Sequence, residues 1–249
     1  MILALSGKMG SGKNTTANII QYIIDSKESG FNLSESNYND YIKNNHHSKC
    51  SFKQKSFAGK LKQIVALLTG CTVEDLESQE FKKKLLGPEW EKGFKYKTFG
   101  ELTPEQKART LDSNAKYITP EKWTPDYRWL LQTIGTDALR NVVHENIWVN
   151  ALMADYIKYI WDPAVNDFVL PNWIITDMRF PNELEAVEKR DGITIRVNRD
   201  NGTRAIDLNP HPSETSLDSH KFDYTIENDS DISALIEKVY KILVIEKII

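Results

Sequence analysis

The sequence predicts an α/β fold in which helices cover both faces of a parallel sheet. Three observations carry that expectation. Residues 1–5 form a short apolar run ending in Ser6-Gly7, as a buried parallel strand does. A second apolar run, PNWIITD over 171–177, ends in an acid. Each run is followed by a segment with helical spacing, so strand and helix alternate along the chain.

The glycine-rich turn after the first run leads into a helix over 15–26, where Ala17, Ile20, Ile23 and Ile24 recur at helical spacing. Residues 26–49 are rich in Asn, Ser and Lys and read as a mobile connection. A strand is expected over 51–57 and a helix over 58–68. Residues 71–125 mix Lys/Glu runs with Gly87-Pro88, Gly93, Gly100, Pro104, Pro120 and Pro125. They read as a partly helical insertion over the core, which leaves one domain, 1–249, with an insertion or lid over about 71–127. Two amphipathic helices follow, over 127–143 and 147–159. Pro181 opens another helix and Gly192 lies behind its end at Arg190. Residues 193–197 alternate as a strand, 224–226 form another, and Ser230 can cap a closing helix to about 246.

With 249 residues at 40% hydrophobic, the chain can bury a large core. Its net charge of −3 argues against a dedicated nucleic-acid binder, which would carry a basic domain or stripe; Lys82, Lys83 and Lys84 form only a local patch. Two cysteines, Cys50 and Cys71, occur without a CxxC, which fits a reducing compartment. The first apolar run is too short for a signal peptide, and no apolar stretch approaches the length of about 18 residues that crosses a bilayer. A cytoplasmic protein without a membrane partner is expected, and the sequence leaves a homodimer open.

The stretch SGKMGSGKNTT, residues 6–16, carries the chemistry. Gly7, four residues, Gly12 and Lys13 satisfy the phosphate-loop pattern G-x-x-x-x-G-K, with Asn14 where a Ser or Thr usually follows. Such a turn lets backbone N–H groups converge on phosphate oxygens, and the helix behind it adds a positive dipole end. Gly10, Ser11, Gly12, Lys13, Asn14, Thr15 and Thr16 are therefore the candidate nucleotide-binding residues. Lys13 would follow the charge as a phosphoryl group moves.

A loop of this kind works with Mg²⁺ and a second acid at the end of a neighbouring buried strand, a position that Asp177 occupies. Asn14 can offer a carbonyl oxygen but is a poorer ligand than a hydroxyl. Arg179 lies two residues on from Asp177. Guanidinium groups match phosphate oxygens bidentately, which also makes Arg128 and Arg140 candidates for a lid arginine. Two weaker groupings are His46-His47 with Cys50, a metal set by composition only, and His211 with Ser213 and Glu214, which lack the glycines of a nucleophile elbow.

At this point the motifs add up to a family. SFAGKLKQIV (56–65), RWLLQTIGTDALRN (128–141), IWVNALMADY (147–156), ITDMRFPNELEAV (175–187), HPSETSL and FDYTIENDSDISALIEKV follow one another along the chain. In these blocks the sequence resembles the deoxynucleoside monophosphate kinases of T-even-type bacteriophages; residues 27–50 and 71–125 lie outside the resemblance. The resemblance implies a P-loop kinase core with a nucleotide-binding insertion, and ATP-dependent phosphorylation of a deoxynucleoside 5′-monophosphate. Beside the residues read above as catalytic, Lys13, Arg128, Asp177 and Arg179, it implies that Lys13 and the loop amides hold ATP and that Thr15 and Asp177 orient waters on the metal. It also implies acceptor binding by Lys62, Gln132, Gly135, Thr136, Asp137, Trp148, Arg179 and Glu183. Two other readings stay open: a small-molecule P-loop kinase of the dephospho-CoA kinase kind, and a nucleotide-binding switch that turns nothing over.

Overall fold

The computed structural model describes residues 1–30, 32–44, 50–93, 95–97, 117–119, 122–156, 160–162, 166–199 and 215–249. In chain order the elements are β1 (Ile2–Ser6), α1 (Lys13–Ser29), α2 (Glu35–Lys43), β2 (Phe52–Lys55), α3 (Gly59–Thr69), β3 (Lys95–Lys97) and β4 (Tyr117–Thr119). There follow α4 (Tyr127–Gln132), α5 (Ile147–Tyr156), β5 (Ile160–Asp162), β6 (Asp167–Val169), β7 (Asn172–Met178), α6 (Pro181–Glu188), β8 (Ile193–Asn198), β9 (Tyr224–Glu227) and α7 (Ile232–Ile245). The chain divides into two compact units, one of Met1–Lys60 with Asn146–Ile249, the other of Leu61–Glu145.

The first unit holds a five-stranded sheet in the order β2-β7-β1-β8-β9, every pairing parallel, as the alternation of strands and helices predicts. β1 is central and wholly buried, with Leu3 set between Ile174 and Ile193. Side chains alternate across the pleat and divide the core in two. Leu3, Leu5, Ile174, Ile195 and Val197 join Ile20 and Ile23 of α1 and Leu235 and Val239 of α7. On the other face, the ring of Tyr156 on α5 packs edge-on to Trp173, centroids 4.9 Å apart, and Gly192 lets Val187 of α6 close over Ile2.

Residues 26–49, expected as a connection, contain α2. Ser34 caps it by accepting from the Asn37 N–H, and Tyr38 and Tyr41 turn inward to pack on the Tyr22 ring at 5.6 and 5.5 Å. The apolar spacing there is carried by tyrosines within a polar composition, which hides it. The closing helix is capped by Asp231, whose carboxylate accepts from Ala234 N at 2.8 Å, and not by Ser230. The hairpin of β5 and β6 had no counterpart in the sequence reading.

In the second unit the described part of 71–125 forms three single 3₁₀ turns, Asp75–Glu77, Phe81–Lys83 and Pro88–Trp90, and the hairpin of β3 and β4. Leu76 is fully buried, and Phe81 packs tilted against Tyr127, ring centroids 4.7 Å apart. Residues expected as one helix over 127–143 form α4 and then an 11-residue π-helical run, Thr133–Val143. Wide turns of this kind are rare and cluster at functional sites.

Candidate active site

The phosphate-loop residues sit between the C-terminal end of β1 and the start of the 17-residue α1. Gly7, Gly10 and Gly12 have φ of 150°, 77° and 99°, where a side chain is strained. A Cβ on Gly7 would lie 2.3 Å from the Val197 carbonyl oxygen, and one on Gly12 2.3 Å from Asn228 Nδ2. The glycines therefore permit both the curvature and the close packing of the loop.

Lys13 is buried, and its ammonium donates to the carbonyl oxygens of Gly7 at 2.6 Å and Lys8 at 2.9 Å. These carbonyls supply the negative partner that a phosphate oxygen would otherwise provide. Among the described residues, Ser11 Oγ is buried without a hydrogen-bond partner. An orphaned hydroxyl beside a glycine cradle is what an incoming oxygen-rich anion would satisfy. Asn14 is exposed, Thr15 half-buried, and Thr16 fully buried with its hydroxyl donating to Gly12 O at 3.0 Å.

Asp177 stands one residue before Met178, which pairs with Ser6 at the loop end of β1. Its carboxylate accepts three hydrogen bonds from the turn after β2: Ser56 Oγ at 2.7 Å, Phe57 N at 2.8 Å and Ala58 N at 3.0 Å. Glu183, 2% exposed, likewise accepts the backbone N–H groups of Arg179 and Phe180, at 2.8 and 3.2 Å. Its carboxylate folds the turn that presents the half-buried Arg179. Trp148 is buried at 5% exposure on α5.

A further cation was missed by the sequence reading. Arg196 of β8 donates to Ser6 Oγ at 3.1 Å and to Asp218 at 2.5 Å, while Lys8 pairs with the other Asp218 oxygen at 3.4 Å. The available signal was an arginine inside the apolar strand ITIRVN, in register with Ser6. The loop end of the sheet thus gathers Lys8, Lys13 and Arg196, with the Asp218 carboxylate shared between Lys8 and Arg196.

In the second unit Lys62 pairs with Glu77 at 2.6 Å, and Arg128 donates to Gln79 at 2.8 Å. Gln132 and Asp137 are exposed, Thr136 is half-buried, and buried Gly135 faces Leu61. Arg140 reaches Glu145 O only at 3.5 Å. Gln132 through Arg140 fall at and within the π-helical run.

Thr15 and Asp177 each offer oxygen, the ligand type that Mg²⁺ takes, and the Asp177 oxygens already accept three hydrogen bonds. Among the described residues no three His, Cys, Asp or Glu side chains form a metal cluster. Burial, with Asp25 adding to it, pushes the Cys50 thiol up to about 12, so it offers no thiolate at neutral pH. His46, His47, His211, Ser213 and Glu214 lie outside the described residues. No helix among the described residues is long and apolar enough to cross a membrane.

A family model described as deoxynucleotide monophosphate kinase matches residues 1–239. A deoxynucleotide monophosphate kinase of Escherichia phage RB69 is 32% identical over 116 residues, 47% of this chain and 44% of that protein. An uncharacterized protein of Ictalurid herpesvirus 1 is 32% identical over 115 residues, 46% of this chain and 47% of its own. The chain spans less than half the length of these two relatives. A deoxynucleoside-5′-monophosphate kinase of Escherichia phage T5 aligns along 93% of this chain and 90% of its own length at 25% identity.

Proposed function

The chain belongs to the deoxynucleotide monophosphate kinase family, and we propose that it transfers the γ-phosphoryl group of ATP to a phosphate oxygen of a deoxynucleoside 5′-monophosphate. The observation that carries this reading is the loop itself. Three glycines at positive φ and a buried lysine stand between a central parallel strand and a long helix.

The loop N–H groups receive the donor phosphates, and Lys13 exchanges the carbonyls of Gly7 and Lys8 for phosphate oxygens. Thr15 with Asp177 would hold Mg²⁺ through water, and the ion would supply neutralisation of phosphate charge. Arg179 and Arg128 take up charge on the transferring group, and either Arg128 or Arg140 is the lid arginine. The acceptor nucleotide is read by Lys62, Gln132, Gly135, Thr136, Asp137, Trp148 and Glu183. Of these Trp148 serves by packing and Glu183 by shaping the Arg179 turn. Residues 71–127 form the insertion that selects the base. Transfer is direct and in line, because positioning and charge stabilisation supply most of the catalysis and no covalent intermediate is needed. Such a reaction works on free nucleotides in the cytoplasm and calls for no nucleic-acid partner.

The test is a coupled ADP-release assay over the four common deoxynucleoside monophosphates, their ribose analogues and dephospho-CoA. Stimulation by at least one deoxynucleotide is expected. Turnover stimulated by dephospho-CoA alone, or tight ATP binding that no acceptor converts into turnover, would sink the assignment.

A further inference from the structure

We propose that Asn228 is a positioning residue that sets the direction of the Gly12 N–H in the phosphate-binding loop. Asn228 directly follows β9 and is 8% exposed. Its side-chain Nδ2 donates to the Ser11 carbonyl oxygen at 2.9 Å, a buried bond spanning 217 residues of sequence. The peptide joining Ser11 to Gly12 is planar and trans, so its C=O and N–H point in opposite directions. With the oxygen held on Asn228, the Gly12 N–H is turned to the far side, away from β9. That group is a candidate phosphate donor, and its direction is fixed before any ligand arrives.

The clamp is anchored on its own side. The Asn228 N–H donates to Asn198 O at 2.7 Å and carries the β8–β9 ladder one step beyond the strand. The turn that follows is tied down by Lys238, bonded to Glu227 O and to Asp229 at 3.0 Å, and by Asp231 capping α7. On the loop side, Gly12 meets two demands at once. Its φ of 99° disfavours a side chain, and a Cβ would reach within 2.3 Å of Asn228 Nδ2. An amide suits this position. It gives the carbonyl a donor, whereas a carboxylate would face it with an acceptor and add negative charge beside the phosphates.

This inference rests on the ATP-donor reading, and the experiment separates the two. ATP is titrated calorimetrically into the parent chain and into Asn228→Ala, Asn228→Asp and Asn228→Ser, with KM for ATP and for the acceptor measured alongside. Losing one positioning hydrogen bond should weaken ATP binding about tenfold in the alanine variant. The aspartate variant should lose more and the serine variant less. KM for the acceptor should stay within about twofold, because the clamp touches only the loop. Should the alanine variant fail to fold, the serine and aspartate variants decide by the same order. Parent-like ATP affinity in the variants, or a parallel rise of both KM values, overturns the clamp while leaving the donor reading intact. No ATP binding by the parent chain overturns both.

Discussion

In the first unit Lys13 is buried against its own loop, Asp177 is held by three donors and Glu183 by two backbone N–H groups. In the second, Gln132 and Asp137 are exposed, and Lys62 and Arg128 pair with Glu77 and Gln79, both exposed themselves. The first arrangement is a backbone cradle whose shape precedes its ligand. The second is a set of side chains whose partners stand at the surface: Lys62, itself largely buried, meets an exposed glutamate, and Arg128 donates to an exposed neutral amide. A preformed cradle gives affinity for a feature every substrate shares, the phosphates. We propose that side chains of the second unit read the part that differs between substrates, the base and sugar.

The largest effect should come from breaking the cradle at its charge. Lys13→Ala removes the one ammonium that the Gly7 and Lys8 carbonyls hold in the loop. A fall in kcat of about a hundredfold or more is expected, the scale of losing one preorganised group at a developing charge. The thermal midpoint should change little, because the freed carbonyls border an exposed part of the loop. Retained turnover would remove Lys13 from the mechanism.

Next in size is Asp177→Asn. One amide nitrogen must then face a donor that the carboxylate accepted, either Phe57 N or the pair from Ser56 and Ala58. The expected cost is about 1–3 kcal/mol of stability from the unpaired group. If Asp177 also orients metal waters, half-saturation by Mg²⁺ should move up several-fold in the same variant. An unchanged Mg²⁺ titration with lowered stability would assign Asp177 to the turn alone.

The same contrast explains what the sequence made legible. The succession β1, loop, α1 obeys local rules (apolar run, glycines, lysine, helical spacing), so spacing alone reads it. Likewise the parallel sheet follows from alternation. What stayed hidden depends on residues distant in sequence. Asp177 and its partners are separated by 119 to 121 residues, and Asn228 meets Ser11 across 217. α2 is buried through tyrosines that pack on Tyr22, a tertiary reward that its polar composition does not announce. Nor did helical spacing distinguish α4 from the wider π-helical turns that continue it, since both present recurring faces.

A smaller effect separates the two residues after the lysine. Thr15 is half-buried beside the loop and Asn14 points to solvent. Thr15→Ala should lower kcat/KM for ATP several-fold and raise the Mg²⁺ requirement, whereas Asn14→Ala should stay within about twofold, as exposed substitutions usually do. The reverse order would mean that Asn14 itself takes the ligand position its hydroxyl-bearing counterparts hold.

The smallest change tests the second unit on its own terms. Gly135 lies in the π-helical run, and a Cβ there would come within 2.6 Å of Leu61 Cδ2, the end of a flexible side chain. Gly135→Ala therefore asks Leu61 to move, with a cost of about 1 kcal/mol or somewhat more from overpacking, partly offset by the alanine's better helical propensity. Leu61→Val in the same chain should recover most of the loss, which a urea titration of both variants would show. If the wide turns of Thr133–Val143 serve acceptor binding, Gly135→Ala should raise the acceptor KM several-fold while leaving the ATP KM unchanged. Equal KM values for both substrates in variant and parent would make Gly135 a packing residue only.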